Sequence, residues 1–248
     1  MALELTEFLQ GSFNVIFVSI SIIVGLTILS RYFKYKKYHF ILVGIIWIGI
    51  STPWLHEAIT FIIYFFDPLL IETAEFITIR FIIGYTSIPI ITTLWFVVFT
   101  DLMYQKEKKF LIWLYVLISV VCEVIFFIFL FTDQYNLIGY FSGPFTAIYR
   151  PFTRFSLLFF LGSSLVSFLI FAGSSLKSES PEIRLKGKFL IIAFLTYTIC
   201  AVLDSFAFFL TQPIMVVLIR IFLMLSAIEF YFGWILPDFI KKIFIKSE

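Results

Sequence analysis

Residues 189–236 read FLIIAFLTYTICAVLDSFAFFLTQPIMVVLIRIFLMLSAIEFYFGWIL. Two apolar runs, 189–210 and 214–236, are separated only by Thr211-Gln212-Pro213. A bilayer core needs about 20 mostly apolar residues per helix. A helix also keeps its backbone hydrogen bonds within the segment, which lipid requires. Each run therefore reads as a membrane span, and the tight connection makes the two antiparallel neighbours. One charge interrupts each run on the connected side. Counted at about 1.5 Å per residue, Asp204 and Arg220 both lie roughly 9 Å from that end. This predicts a buried ion pair, which either serves a site or only locks the two helices together.

The same pattern extends to the whole chain. Runs near 9–30, 40–66, 77–100, 110–131 and 155–176 bring the expected number of spans to seven. Of 248 residues, 61% are hydrophobic and 14% charged, 35 are phenylalanine, and the mean hydropathy is +1.06. Such a composition excludes a water-soluble globule. Cys122 and Cys200 lie inside apolar runs, as buried thiols do, and make no disulfide scaffold. A net charge of +2 with no basic stripe excludes nucleic acid as a partner. The expected fold is an all-α polytopic bundle, with residues 1–236 as the transmembrane domain and 237–248 as a cytoplasmic tail.

Orientation follows from the basic residues of the loops. Fourteen of the 18 lie in alternate loops, around Arg31–Lys37, Lys106–Lys109, Lys177–Lys188 and Lys241–Lys246. The opposite side holds only Arg150 and Arg154. The N-terminus is thus expected outside and the C-terminus inside. Glu4 and Glu7 precede the first run where a signal peptide would carry positive charge, so that run is read as a true span. After Pro237, Phe239, Ile240, Ile243 and Phe244 alternate with lysines in the manner of an amphipathic helix on the inner leaflet, the alternative being a plain basic tail. The chain stops at Glu248 without a kinase or cyclase, so any output is expected on a separate cytoplasmic or membrane partner. The aromatic-rich outer loop, 132–154, is long enough to serve as a lid.

Six ionisable residues fall within the spans: Glu57, Arg80, Glu123, Asp204, Arg220 and Glu229. Charges in lipid are costly and mark candidate sites. Thr52, His56 and Thr60 recur every four residues beside Glu57, on a span that Pro53 is expected to kink. Pro89 is the corresponding kink in the third span. Arg80 with Gly84 and Ser87, and Thr196 with Cys200 and Asp204, continue a polar lining in the outer half. His56, Glu57, Arg80, Glu123, Asp204 and Arg220 form the candidate small-ligand site. Its formal charge of minus one suits a cationic or zwitterionic guest. The alternative is interhelical polar glue. Gly162, Ser163, Ser167, Gly173 and Ser174 of the fifth span read as a close helix-packing face. Trp113 and Trp234 read as membrane-interface residues.

The chemistry of known intramembrane enzymes is missing. A metal hydrolase needs about three ligands, and His39 and His56 are the only histidines. An aspartyl protease needs two membrane aspartates, and Asp204 stands alone. No serine-histidine arrangement, phosphate loop or Cys-x-x-Cys pair occurs. We therefore expect no enzyme, no cofactor and no metal.

Two local patterns resemble known seven-helix families. Arg80 stands nine residues before Pro89, similar to the arginine and proline of the microbial rhodopsin third helix. Ser226-Ala227 resembles their Ser-Ala-Lys motif, which implies retinal on the lysine. Ile228 stands in place of that lysine, Ile83 in place of the expected aspartate, and no span holds a lysine, so retinal is not implied here. Ser180-Pro181-Glu182-Ile183-Arg184-Leu185-Lys186-Gly187-Lys188 resembles the inner loop of seven-span sensory modules of prokaryotic histidine kinases. These resemblances imply a sensor or receptor-like membrane protein. A proton-coupled or small-solute transporter and a structural subunit remain the alternatives, although no internal repeat of the transporter kind is present.

Overall fold

The computed structural model describes residues 3–132, 135–206 and 211–245, and the chain is a helical multi-pass membrane protein. Helix α1 (Leu5–Tyr35) begins where the Glu7 carboxylate accepts from the Glu4 amide at 2.9 Å. α2 (His39–Ile50) and α3 (Thr52–Tyr64) meet at a 56° bend. Proline lacks an amide proton, so Pro53 cannot donate to the Gly49 carbonyl four residues back. Thr52 Oγ1 takes that carbonyl instead at 2.7 Å, and the break falls at Ser51, two residues before the expected kink. α4 (Ala74–Tyr85) and α5 (Ser87–Met103) run on as one long span across Thr86. α6 (Lys108–Phe131) follows. Then α7 (Tyr135–Ile138) leads into an antiparallel hairpin of β1 (Gly139–Ser142) and β2 (Thr146–Tyr149). α8 (Pro151–Leu176), α9 (Pro181–Asp204), α10 (Pro213–Ile235) and the short α11 (Asp238–Phe244) complete the chain.

Among the described residues, six helical segments are long and apolar enough to cross a membrane, and the bent α2–α3 pair makes a seventh if it is counted as one span. The lengths are consistent with a membrane crossing, and so is the surface. Ile23 and Phe33 on α1, Leu117 on α6, Val166 on α8 and Ile199 on α9 are exposed, a distribution that would aggregate in water. α9 differs from expectation. It starts at Pro181, whose ring presets the first helical turn, and ends at Asp204. Asp204 is therefore a terminal residue and not one buried a third of the way in. Residues 207–210 of the expected sixth span and 246–248 of the tail lie outside the described residues.

Packing places α1, α2, α5, α8, α9 and α10 in a closed ring, each against the next and α10 back against α1. α6 leans on α5 from outside. α3, α4 and the hairpin cover one end of the ring; the lysine-rich loops occupy the other. At the α1–α2 crossing, a Cβ on Gly44 would stand 2.5 Å from the Gly25 carbonyl oxygen, so only glycine permits this approach. The expected packing face of α8 holds in part: Ser167 is buried and accepts from Trp95 Nε1 of α5 at 2.7 Å. A Cβ on Gly162 or Gly173 would meet nothing within 4 Å, and α8 meets α9 instead where Gly187 faces the Ala172 carbonyl. Between the two ends, Trp47 stacks on Phe230 at 3.9 Å and Phe168 lies between Trp95 and Phe194 at 3.4 and 3.3 Å between ring centroids. These rings make an aromatic plug.

Near the lysine-rich end, Asp101 of α5 accepts from Tyr38, meets His39 Nε2 at 2.7 Å and pairs with Lys108 at 2.6 Å. This joins the starts of α2 and α6 to the end of α5. Lys241 of α11 pairs with Glu182 at 2.6 Å and so ties the tail to α9. Trp113 is well exposed; Trp234 is half-buried and stacks on Phe171.

Candidate functional site

Arg220 is fully buried on α10 and connects the site's acidic groups. Its Nη1 donates to Asp204 Oδ1 at 2.5 Å, and its Nη2 stands 3.7 Å from Glu57 Oε2. Asp204 sits at the C-terminal end of α9, where the helix dipole is negative and a carboxylate is disfavoured. The guanidinium offsets that cost. Trp54 Nε1 donates to the other oxygen, Oδ2, at 2.7 Å. Glu57 Oε2 accepts from Gln10 Nε2 at 3.0 Å and from Asn14 Nδ2. Gln10 Oε1 in turn accepts from Thr146 of the hairpin at 3.2 Å. The network thus joins α1, α3, α9, α10 and β2. Gln10 and Asn14 were legible as polar residues one helical turn apart in the first span, although nothing in the sequence pointed them at Glu57.

Arg80 makes no ion pair within 4 Å among the described residues. Its guanidinium carbon lies 3.6 Å over the Phe141 ring, and Nη2 donates to the Phe145 carbonyl at 3.2 Å. A cation over an aromatic face is stabilised by the ring quadrupole. Arg80 therefore fastens the hairpin to the bundle. His56 is buried against the edge of Phe141, and its Nδ1 has no partner among the described residues. Gly84 leaves room for it, since a Cβ there would stand 2.8 Å from the imidazole and 2.9 Å from the Tyr149 hydroxyl. Burial holds the Tyr149 phenol above its ordinary pKa.

A cavity of about 150 Å³ lies inside the ring, walled by α2, α3, α5, α8, α9 and β2. A water needs roughly 10–15 Å³ by this kind of measure, so the space admits on the order of ten waters. Trp54, His56, Glu57, Tyr149, Arg154 and Asp204 stand on its wall; Ile46, Ile91, Trp95, Phe168 and Phe194 supply apolar wall. The aromatic plug lies on the side of the lysine-rich end.

The six residues expected at one site are divided by the fold. His56, Glu57 and Asp204 reach the cavity wall. Arg220 braces two of them without lining it, and Arg80 serves the hairpin. Glu123 is apart, because α6 lies outside the ring; both its carboxylate oxygens are buried without a partner among the described residues, one turn from Phe126, which stacks on Tyr85. Glu229 Oε2 likewise has no partner among the described residues. Conversely Arg154, read as a loop residue, lines the cavity. The charges at the site are therefore Glu57 and Asp204 against Arg220 and Arg154, a formal zero in place of minus one.

Against known proteins, no family model matches the chain, and no curated protein or solved structure is significantly similar to it.

Proposed function

We propose that the chain is a seven-span, receptor-like module of a prokaryotic plasma membrane that binds a small ligand in this cavity and reports its occupancy to a separate partner. In this reading α2 and α3 form one broken span, the hairpin end faces outward and α11 lies on the inner leaflet. The lysine-rich loops of the other end favour that orientation. The observation that carries the reading is the cavity itself, walled by members of a buried polar network beside a hairpin. A purely structural subunit has no need of such a space. The aromatic plug favours binding over passage, since a carrier must open it on every cycle. Coupling has a route. Ile50, Pro53 and Trp54 flank the α2–α3 break and line the cavity, while His39 at the other end of α2 is tied to Asp101.

The test is a small-molecule panel scored by melting temperature on the purified full chain, run in parallel on Leu161→Trp, which fills the cavity. A ligand that stabilises the parent chain and leaves the filled variant unchanged supports the proposal. If every stabilising compound acts equally on both, the cavity is not the site. Cysteines at Ser142 and Ser178, labelled in intact cells, test the orientation; the first is expected to react from outside and the second only after lysis.

A further inference from the structure

The cavity wall combines an unpaired cation with an apolar interior. Glu57 and Asp204 are both engaged by Arg220, and Arg80 is engaged by Phe141 and Phe145. Arg154, on the first turn of α8, has no hydrogen bond or ion pair for its guanidinium among the described residues, yet it lines the cavity. His56 Nδ1, on a ring that is 2% exposed, also lacks a partner among the described residues. The wall also includes Ile91, Leu161, Trp95, Phe168 and Phe194, with Thr92, Ser164 and Tyr149 as neutral polar members.

Taking the cavity as the ligand site, we propose that its guest is a small amphiphilic carboxylate, with its anionic group on Arg154 and its apolar body directed toward Trp95 and Phe168. A guanidinium presents paired donors that match a carboxylate in bidentate fashion. A cationic guest would bring a second unpaired positive charge to a wall that already has one. An inorganic anion would leave the aromatic interior unfilled. Space for on the order of ten waters corresponds to a guest of about ten non-hydrogen atoms.

Trp54 and Trp95 on the wall provide a direct readout, because bromine in contact with an indole quenches its fluorescence. The full chain, carrying Trp113→Phe to remove the lipid-facing indole, is placed in phosphatidylcholine nanodiscs and titrated with 8-bromooctanoate, 8-bromooctanol and 8-bromooctylammonium. Saturable quenching is expected from the carboxylate alone, competed by octanoate. Arg154→Gln is expected to weaken it about tenfold, the scale of one lost charge-assisted contact, and Arg154→Lys to restore part of it. Affinity should peak near eight carbons; a continued rise to palmitate overturns the size assignment. Saturable quenching by all three probes, or an undiminished carboxylate effect in Arg154→Gln, overturns the anion while the cavity remains a site. Quenching that stays linear for every probe removes the cavity reading itself. The melting temperature of each variant, expected near that of the parent because Arg154 is exposed and its guanidinium makes no bond among the described residues, separates lost binding from lost folding.

Discussion

Asp204 and Arg220 stand sixteen residues apart in sequence and 2.5 Å apart in space, and the same guanidinium lies 3.7 Å from Glu57. One cation therefore serves two carboxylates, and the energetic consequences differ from those of a simple pair. Removing one member of a buried pair strands its partner, at about 3–5 kcal/mol. Arg220→Met strands both acids and is expected to be the most destabilising single change in the network; Asp204→Asn or Glu57→Gln leaves the arginine one partner and costs less. The charge swap Asp204→Arg with Arg220→Asp does not rescue, because it sets an aspartate against Glu57. The triple variant Glu57→Gln, Asp204→Asn, Arg220→Met recovers most of the loss. Unfolding of each variant in detergent micelles checks the order, and a triple variant no more stable than Arg220→Met disproves the shared-cation account.

The glycines separate into two kinds. Gly44→Ala drives a methyl into the Gly25 carbonyl, with backbone on both sides, and is expected to lose about 1–3 kcal/mol, the usual cost of overpacking. Gly162→Ala and Gly173→Ala meet open space and gain up to about 1 kcal/mol from the greater helix propensity of alanine. Comparative unfolding of the three variants is the measurement. Equal losses at all three sites would restore α8 as a close-packing face.

At the lysine-rich end, the bond to Asp101 pushes the Tyr38 phenol from 10.0 up to about 12. Folding thus favours the neutral phenol. That contribution to stability is fully present below pH 10 and is lost as the pH rises toward 12. The difference in tyrosinate absorbance between the parent chain and Tyr38→Phe should titrate near 12. In Asp101→Asn the midpoint should fall back toward the ordinary value. A midpoint of 10 in the parent chain would mean that Tyr38 does not hold Asp101 in solution.

Sequence alone was sufficient for features set by transfer into lipid or by nearness along the chain. Apolar run length gave the membrane class and the positions of the helical segments. The short Thr211–Pro213 turn predicted that Asp204 and Arg220 are neighbours. Pro53 indicated a break in the second span, since its missing proton is a local fact. Other features depended on which helices stand side by side and how each is rotated about its axis. Periodicity along one helix determines a face but not what that face meets. Glu57 and Glu123 looked equivalent by depth and residue type, yet α3 turns Glu57 toward Gln10 and Asn14, whereas α6 stands outside the ring and keeps Glu123 from the cavity. Arg154 read as a loop cation until α8 was seen to begin at Pro151. The site's charge changed with Glu123, Arg80 and Arg154, because it is a sum over neighbours that only the packed ring specifies.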